Sequence, residues 1–315
     1  MKTKYVSEKT AALEKQIFAK TAREDFSAFW ENAVAELRKK ELVIHREKLS
    51  LPYDKSFSTY EITFNTHDDT LVHAYFSCPI RKDKEKLPCV AFFHGGSGQK
   101  SINHNILATG VCCFAIDVRS QAGTTVDKAV YTSGDRMGGL MTRGVLDKNE
   151  FYMKNIYLDA VRTMDVIATL EEVDPSRIVT YGASQGGALS IVASALSGKS
   201  KKCYSAVTSY CCLQQRTESG SGVFDSTHAY LRNYPDQTDT VMETLSYFDI
   251  INMVSLLKTP VSFCLALSDE ICLPPYVYSA YHHAECEKSI EMYPFSPHRF
   301  SDDYRYLVDK ELAEL

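Results

Sequence analysis

The chain has 315 residues, about twice the ~150 of a typical domain, so length alone allows one elaborated domain or two. Lys and Arg total 35 against 40 Asp and Glu, a formal charge of −5, which argues against a nucleic-acid partner that would favour a basic stripe. Apolar residues at 44% and charged residues at 24% mark a globular chain with ample core material, and 15 Gly with 10 Pro exclude collagenous or low-complexity classes.

The opening residues, MKTKYVSEKTAALEKQ, are charged and carry no apolar stretch of a secretory signal. The apolar runs, such as VSFCLAL at 261–267, are far too short to span a bilayer, so no membrane partner is expected. Residues 7–40 read as helix, with Phe26, Phe29, Trp30, Ala33, Val34 and Leu37 on one stripe that must cover a core. From Phe57 the period becomes two: STYEITFN at 58–65, a His67-Asp68-Asp69 turn and an alternating 71–77 predict an antiparallel hairpin. Residues 79–88 read as a charged surface loop.

Short apolar strands then alternate with helices. Strands are predicted at 89–93, 111–116, 177–181 and 261–267, with a weaker one at 206–209 and IEMY at 290–293. Helical periodicity fills 156–170 and 186–197, and a C-terminal helix closes the chain. This pattern predicts an α/β fold with a mainly parallel sheet covered on both faces, in which functional residues gather beyond the carboxyl ends of the strands. No Pro/Gly/Ser-rich linker divides the chain, so residues 1–315 are read as one domain, with residues 1–50 as a helical extension and 219–240 as a loop or cap near the site.

The strongest chemical signal is Gly182-Ala183-Ser184-Gln185-Gly186, a GxSxG between a strand and a helix. A nucleophile on that turn needs small neighbours, because the bend that lifts the hydroxyl above the sheet would make Cβ atoms collide. A Ser hydroxyl needs a base within hydrogen-bond reach, and hydrolases of this architecture carry the order Ser…Asp…His. Asp269 follows the strand at 261–267 and His298 follows 290–293, so these two complete a candidate triad. Glu270 is the nearest rival acid; His282 and His283 sit in a predicted helix and read as surface residues. Oxyanion donors are expected from the backbone N–H groups of Gln185, at the start of a helix, and Gly96, in the turn FFHGGSG. That turn lacks the GxxxxGK[ST] or GxGxxG of a phosphate loop, so no cofactor is expected.

The ten cysteines include no CxxC, so no metal site is expected. Cys112 with Cys113, and Cys211 with Cys212, are neighbours ~3.8 Å apart, below the ~4.4–6.8 Å of a disulfide. All read as small buried hydrophobes in a reducing cytoplasm, none needed for the chemistry.

Beyond the triad, GLMTRGVLDK at 139–148, YLDAVRTMDVIATLEEVDPSRI at 157–178, GASQGG at 182–187 and REDFSAFWENAVAEL at 23–37 resemble the acetyl xylan esterase and cephalosporin-C deacetylase family of α/β-hydrolases. The resemblance runs through nearly the whole chain and is weakest at 219–240. It implies a cytoplasmic carbohydrate esterase that removes acetyl groups from small sugars, usually as a ring-like homo-hexamer, with Ser184, Asp269 and His298 as triad and Gly96 and Gln185 as oxyanion donors. Three positions depart from the family pattern. HGY is His94-Gly95-Gly96, RGQ is Arg119-Ser120-Gln121, and the His-Glu pair is His298-Arg299. A Ser in place of a positive-φ Gly would cost about 1 kcal/mol or more.

The function expected is therefore metal-independent serine hydrolysis of acetyl esters, with activity lost at acid pH around the ordinary His pKa of ~6.5. A general short-chain carboxylesterase is the second reading, a peptidase on the same fold a weaker one. The remaining alternative is a non-catalytic sugar-binding or assembly protein.

Overall fold

The structure, a computed structural model, describes residues 3–51, 55–81, 85–134, 139–220, 222–299 and 301–315. Helices α1 (Lys4–Glu14) and α2 (Phe26–Lys39) precede strands β1 (Ile44–Lys48), β2 (Phe57–Asn65), β3 (Leu71–Pro79) and β4 (Leu87–Phe93). Helix α3 (His104–Ala108), β5 (Cys112–Ile116), α4 (Tyr152–Ile167), β6 (Val173–Ala183), α5 (Gln185–Ser197) and β7 (Lys202–Ala206) follow. Four helices come next: α6 (Leu213–Ser219), α7 (Asp225–Asn233), α8 (Thr238–Ser246) and α9 (Ile250–Met253). The chain ends with β8 (Val261–Ala266), α10 (Pro274–His283), β9 (Lys288–Tyr293) and α11 (Asp302–Ala313).

Among the described residues the strands form one sheet, ordered β1-β2-β3-β5-β4-β6-β7-β8-β9. The first pairings are antiparallel through β3–β5, and β5 onward is parallel, as in the α/β-hydrolase fold. Alternation along β4 explains why the parallel strands read as continuous apolar runs. Cys89, Ala91 and Phe93 enter the core shared with α2, α4 and α5, whereas Val90 faces the core built with Tyr304, Val308 and Leu312 of α11. The chain leaves β4 toward β5 on one side and returns to β6 on the other. The carboxyl ends of β4 and β6, neighbours through Phe93 and Gly182, therefore flank the point where strand order reverses.

The expected helix at 7–40 is two helices. The segment between them satisfies its backbone on distant side chains instead: Phe18 N–H donates to Ser279 Oγ (3.0 Å) and Thr21 N–H to Asn252 Oδ1 (2.9 Å). Residues 1–50 also carry the edge strand β1, so this extension is not purely helical. Among the described residues of 219–240, expected as a loop or cap near the site, most lie in helices, chiefly α7 and the start of α8. The weak strand expected at 206–209 lies earlier, at Lys202–Ala206, because Val207 and Tyr210 take positive φ and turn the chain away. Part of the 79–88 loop, 82–84, lies outside the described residues. No helix among the described residues is long and apolar enough to cross a membrane.

Candidate active site

Ser184 sits between β6 and α5 at φ 57° and ψ −122°, a conformation L-residues rarely adopt. Such strain costs of order 1–3 kcal/mol and persists only where the surroundings enforce it. Here they do: Ser184 N–H donates to Ala206 O (2.9 Å), and its carbonyl accepts from Ser209 N–H (3.0 Å). The flanking glycines are sterically required. A Cβ on Gly186 would lie 1.9 Å from Phe93 O, and one on Gly182 would lie 2.5 Å from the Gly186 carbonyl. Residue type at both positions is thus dictated by how closely α5 approaches β4.

Asp269 and His298 follow β8 and β9, and parallel pairing aligns those strand ends with that of β6. His298 Nδ1–H donates to Asp269 Oδ2 at 2.8 Å. Asp269 Oδ1 in turn accepts the backbone N–H groups of Ile271 and Cys272, both at 2.8 Å. Asp269 is buried and Glu270 exposed, which separates the two rival acids by environment. The hydrogen bond to Asp269, and then the neighbouring Cys272, outweigh burial and push the His298 pKa up to about 10. That lies above the ordinary His value of ~6.5. Ser184 is partly exposed, and its hydroxyl makes no hydrogen bond among the described residues, a looseness common in substrate-free hydrolases.

Gly96 lies in the exposed turn beyond β4, and a Cβ there would meet nothing within 4 Å. The turn is held from below by His94, whose Nε2 accepts Val118 N–H (3.0 Å), so its Nδ1–H donates to Gly95 O (2.7 Å). Burial lowers the His94 pKa and keeps that ring neutral. Gln185 opens α5, where the first N–H groups have no intrahelical acceptor and the helix dipole favours negative charge.

A side-chain clamp joins these two backbone segments, and the sequence reading did not find it. Gln121 Oε1 accepts Ser97 N–H (2.8 Å), while the Gln121 and Gln185 amides pair reciprocally at 2.7 and 3.1 Å. Tyr210 Oη–H also donates to Gln185 Oε1 (2.8 Å). Gln121 is held by the loop of Arg119, a fully buried guanidinium paired with Asp159, Asp68 and Asp127 at 2.6–2.9 Å. Ser120 does adopt the positive φ, 60°, that its family departure raised, and its Oγ accepts from Arg143 Nη1 at 3.1 Å. The available signal was the Arg119-Ser120-Gln121 motif, whose partners lie too far along the chain for spacing to reveal.

Comparison with known proteins identifies the family of the chain. Residues 11–310 match the family described as acetyl xylan esterase (AXE1). An acetyl esterase of Xylanibacter ruminicola, Axe7A, is 23% identical over 291 residues, covering 90% of this chain but only 65% of that longer protein. An acetyl xylan esterase from Paenibacillus sp. superposes with a TM-score of 0.91 at 31% identity, covering 96% of this chain and 98% of that one. Acetyl xylan esterase 1 from Thermoanaerobacterium sp. gives 0.90 at 25% identity with the same coverage. The chain, with its α/β-hydrolase fold, belongs to the acetyl xylan esterase family, a family of carboxylic ester hydrolases that act on acetyl esters.

Proposed function

We propose that this chain is a serine esterase that removes acetyl groups from small carbohydrates, with Ser184 as nucleophile, His298 as base and Asp269 as its orienting acid. The observation that carries the reading is the His298–Asp269 hydrogen bond at 2.8 Å, set on the same sheet edge as the strained turn of Ser184. Ser184 Oγ attacks the acetyl carbon while His298 Nε2 takes its proton. The N–H groups of Gly96 and Gln185 stabilise the tetrahedral oxyanion, each such donor contributing about 3–4 kcal/mol to the barrier reduction. His298 returns the proton to the departing sugar oxygen, then activates the water that releases acetate from the acetyl-enzyme. Asp269 holds the tautomer that leaves Nε2 free, and its own carboxylate is held in place by two backbone N–H groups. No step uses a metal or cofactor. A homo-hexamer in the reducing cytoplasm, implied by the family resemblance, belongs to the same proposal.

The open space above Gly96, where the family pattern carries an aromatic ring, favours a second reading: a general short-chain carboxylesterase that accepts acyl chains longer than acetyl. A panel of acetylated sugars beside acetyl, propionyl and butyryl esters separates the two, because a pocket discriminates by about 1–3 kcal/mol per methylene. Steep loss beyond acetyl supports the deacetylase; equal or better turnover of longer chains supports the carboxylesterase. Ser184→Ala is expected to abolish turnover with folding intact. Undiminished hydrolysis would remove Ser184 as the nucleophile, whereas a wild type that neither hydrolyses these esters nor is labelled at Ser184 by a phosphonylating probe would be a non-catalytic member of the fold.

A further inference from the structure

Cys272 stands three residues beyond Asp269 and is fully buried. One carboxylate oxygen of Asp269, one ring nitrogen of His298 and the Cys272 sulfur all lie within 4.8 Å of one another. The ring nitrogen facing the carboxylate is Nδ1, 2.8 Å from Oδ2. The loop bearing two of these groups is stiffened on both sides. Ile271 and Cys272 N–H donate to Asp269 Oδ1, and Ile271 O accepts from Nη1 of the buried Arg216 at 2.9 Å. Among the described residues no other three His, Cys, Asp or Glu side chains gather this closely.

We propose that Asp269, Cys272 and His298 form a site for one thiophilic divalent cation, Zn²⁺ or its softer analogue Cd²⁺, and that its occupancy stops hydrolysis. One sulfur, one nitrogen and one oxygen with a fourth position left over is a donor set for a tetrahedral, thiophilic ion; Mg²⁺ and Ca²⁺ require more oxygens. Bonds of about 2.3 Å to sulfur and about 2.0–2.2 Å to nitrogen and oxygen set neighbouring ligand atoms about 3.3–3.8 Å apart at tetrahedral angles. The Nδ1–Oδ2 contact must then open by about half an ångström, and the sulfur needs a shift of at most about an ångström. On binding, the Cys272 thiol proton and the His298 Nδ1 proton are released to solvent, Nδ1 donates its freed lone pair to the ion, and Nε2 keeps its proton. Nε2 then has no lone pair to accept the Ser184 proton. The inhibitory half of the proposal rests on His298 being the base; the binding half does not.

The chelator-treated full-length protein is titrated with Cd²⁺, following thiolate-to-metal charge-transfer absorbance and, in parallel, hydrolysis of a chromogenic acetyl ester. The wild type is expected to show one saturable absorbance change and matching loss of activity, both reversed by EDTA. Cys272→Ser is expected to lose the absorbance and raise the half-inhibitory concentration by about 10-fold or more. Cys286→Ser, which alters a less buried cysteine away from the site, should titrate as wild type. His298→Ala, followed by absorbance alone, should bind more weakly by a similar factor and serves if Cys272→Ser does not fold. No saturable change in the wild type, or wild-type titration by both site variants, overturns the site. Cys272-dependent binding with activity intact at saturation overturns the blocking step. Absent hydrolysis in metal-free wild type counts instead against the esterase reading, with the binding result still standing on its own.

Discussion

At the scale of single residues, His298, the proposed base, is expected to set the pH behaviour. Its ring must be neutral to act as base, yet the Asp269 hydrogen bond and the Cys272 neighbour favour the cation and push the pKa up to about 10. The kcat/KM profile of a soluble acetyl ester is therefore expected to rise through a midpoint well above the ordinary ~6.5. Asp269→Asn removes the largest cause, so the midpoint should fall back toward ~6.5 while kcat drops by up to about 10⁴-fold. A wild-type midpoint at or below 6.5 would show that the pair does not govern the reaction. Stability runs the opposite way. A folded pKa raised above the unfolded value contributes stability fully below pH ~6.5, and this is lost as pH rises through about 10. Gln121 is the other decisive residue, because its amide ties the Ser97 backbone to Gln185. Gln121→Ala should lower kcat by roughly 10- to 100-fold with KM little changed, since it loosens the segments that carry the proposed oxyanion donors, which act only in the transition state. A change confined to KM would assign Gln121 to substrate binding instead.

At the scale of elements, a buried charge cluster fixes the loop after β5. Arg119 pairs bidentately with Asp159 on α4, reaches Asp68 in the β2–β3 turn, and its carbonyl accepts from Tyr152 Oη (2.7 Å). Burial pushes the Asp68 carboxyl up, but the Arg119 guanidinium overrides this and holds it at about 2. Arg119→Met leaves buried carboxylates unpaired and should cost about 3–5 kcal/mol in urea unfolding, with activity falling as Gln121 loses its support. Because the folded pKa of Asp68 is depressed, its contribution is present above ~3.8 and disappears as pH falls through about 2. Equal urea midpoints for wild type and variant would remove the cluster from the stability account. Much of the element plan was legible beforehand. The 2-residue period of β2 and β3, the apolar runs of β4, β5 and β8, and the helical periods of α4 and α5 are local patterns, readable within a window of a dozen residues. The break between α1 and α2 was not, since Phe18 and Thr21 find their partners on Ser279 and Asn252, more than two hundred residues away.

At the scale of the whole molecule, the sheet gathers the catalytic candidates by bringing the carboxyl ends of β4, β6, β8 and β9 to one edge. Val126, Val130 and Phe295 remain largely exposed at 73%, 82% and 81%. Sedimentation of the purified chain is expected to give six times its 35.4 kDa mass; a monomer at micromolar concentration would withdraw the hexamer from the proposal. The sequence by itself determined where strands and helices alternate, that Ser184 needs glycine neighbours, and that an acid and a histidine follow later strands, because periodicity and turn sterics are properties of adjacent residues. Only the tertiary structure decided that Asp269 is buried and Glu270 exposed, that Gln121 meets Gln185, and that Cys272 stands beside His298. Those outcomes depend on contacts between segments that share no local period, and on which side chains the folded chain withdraws from water.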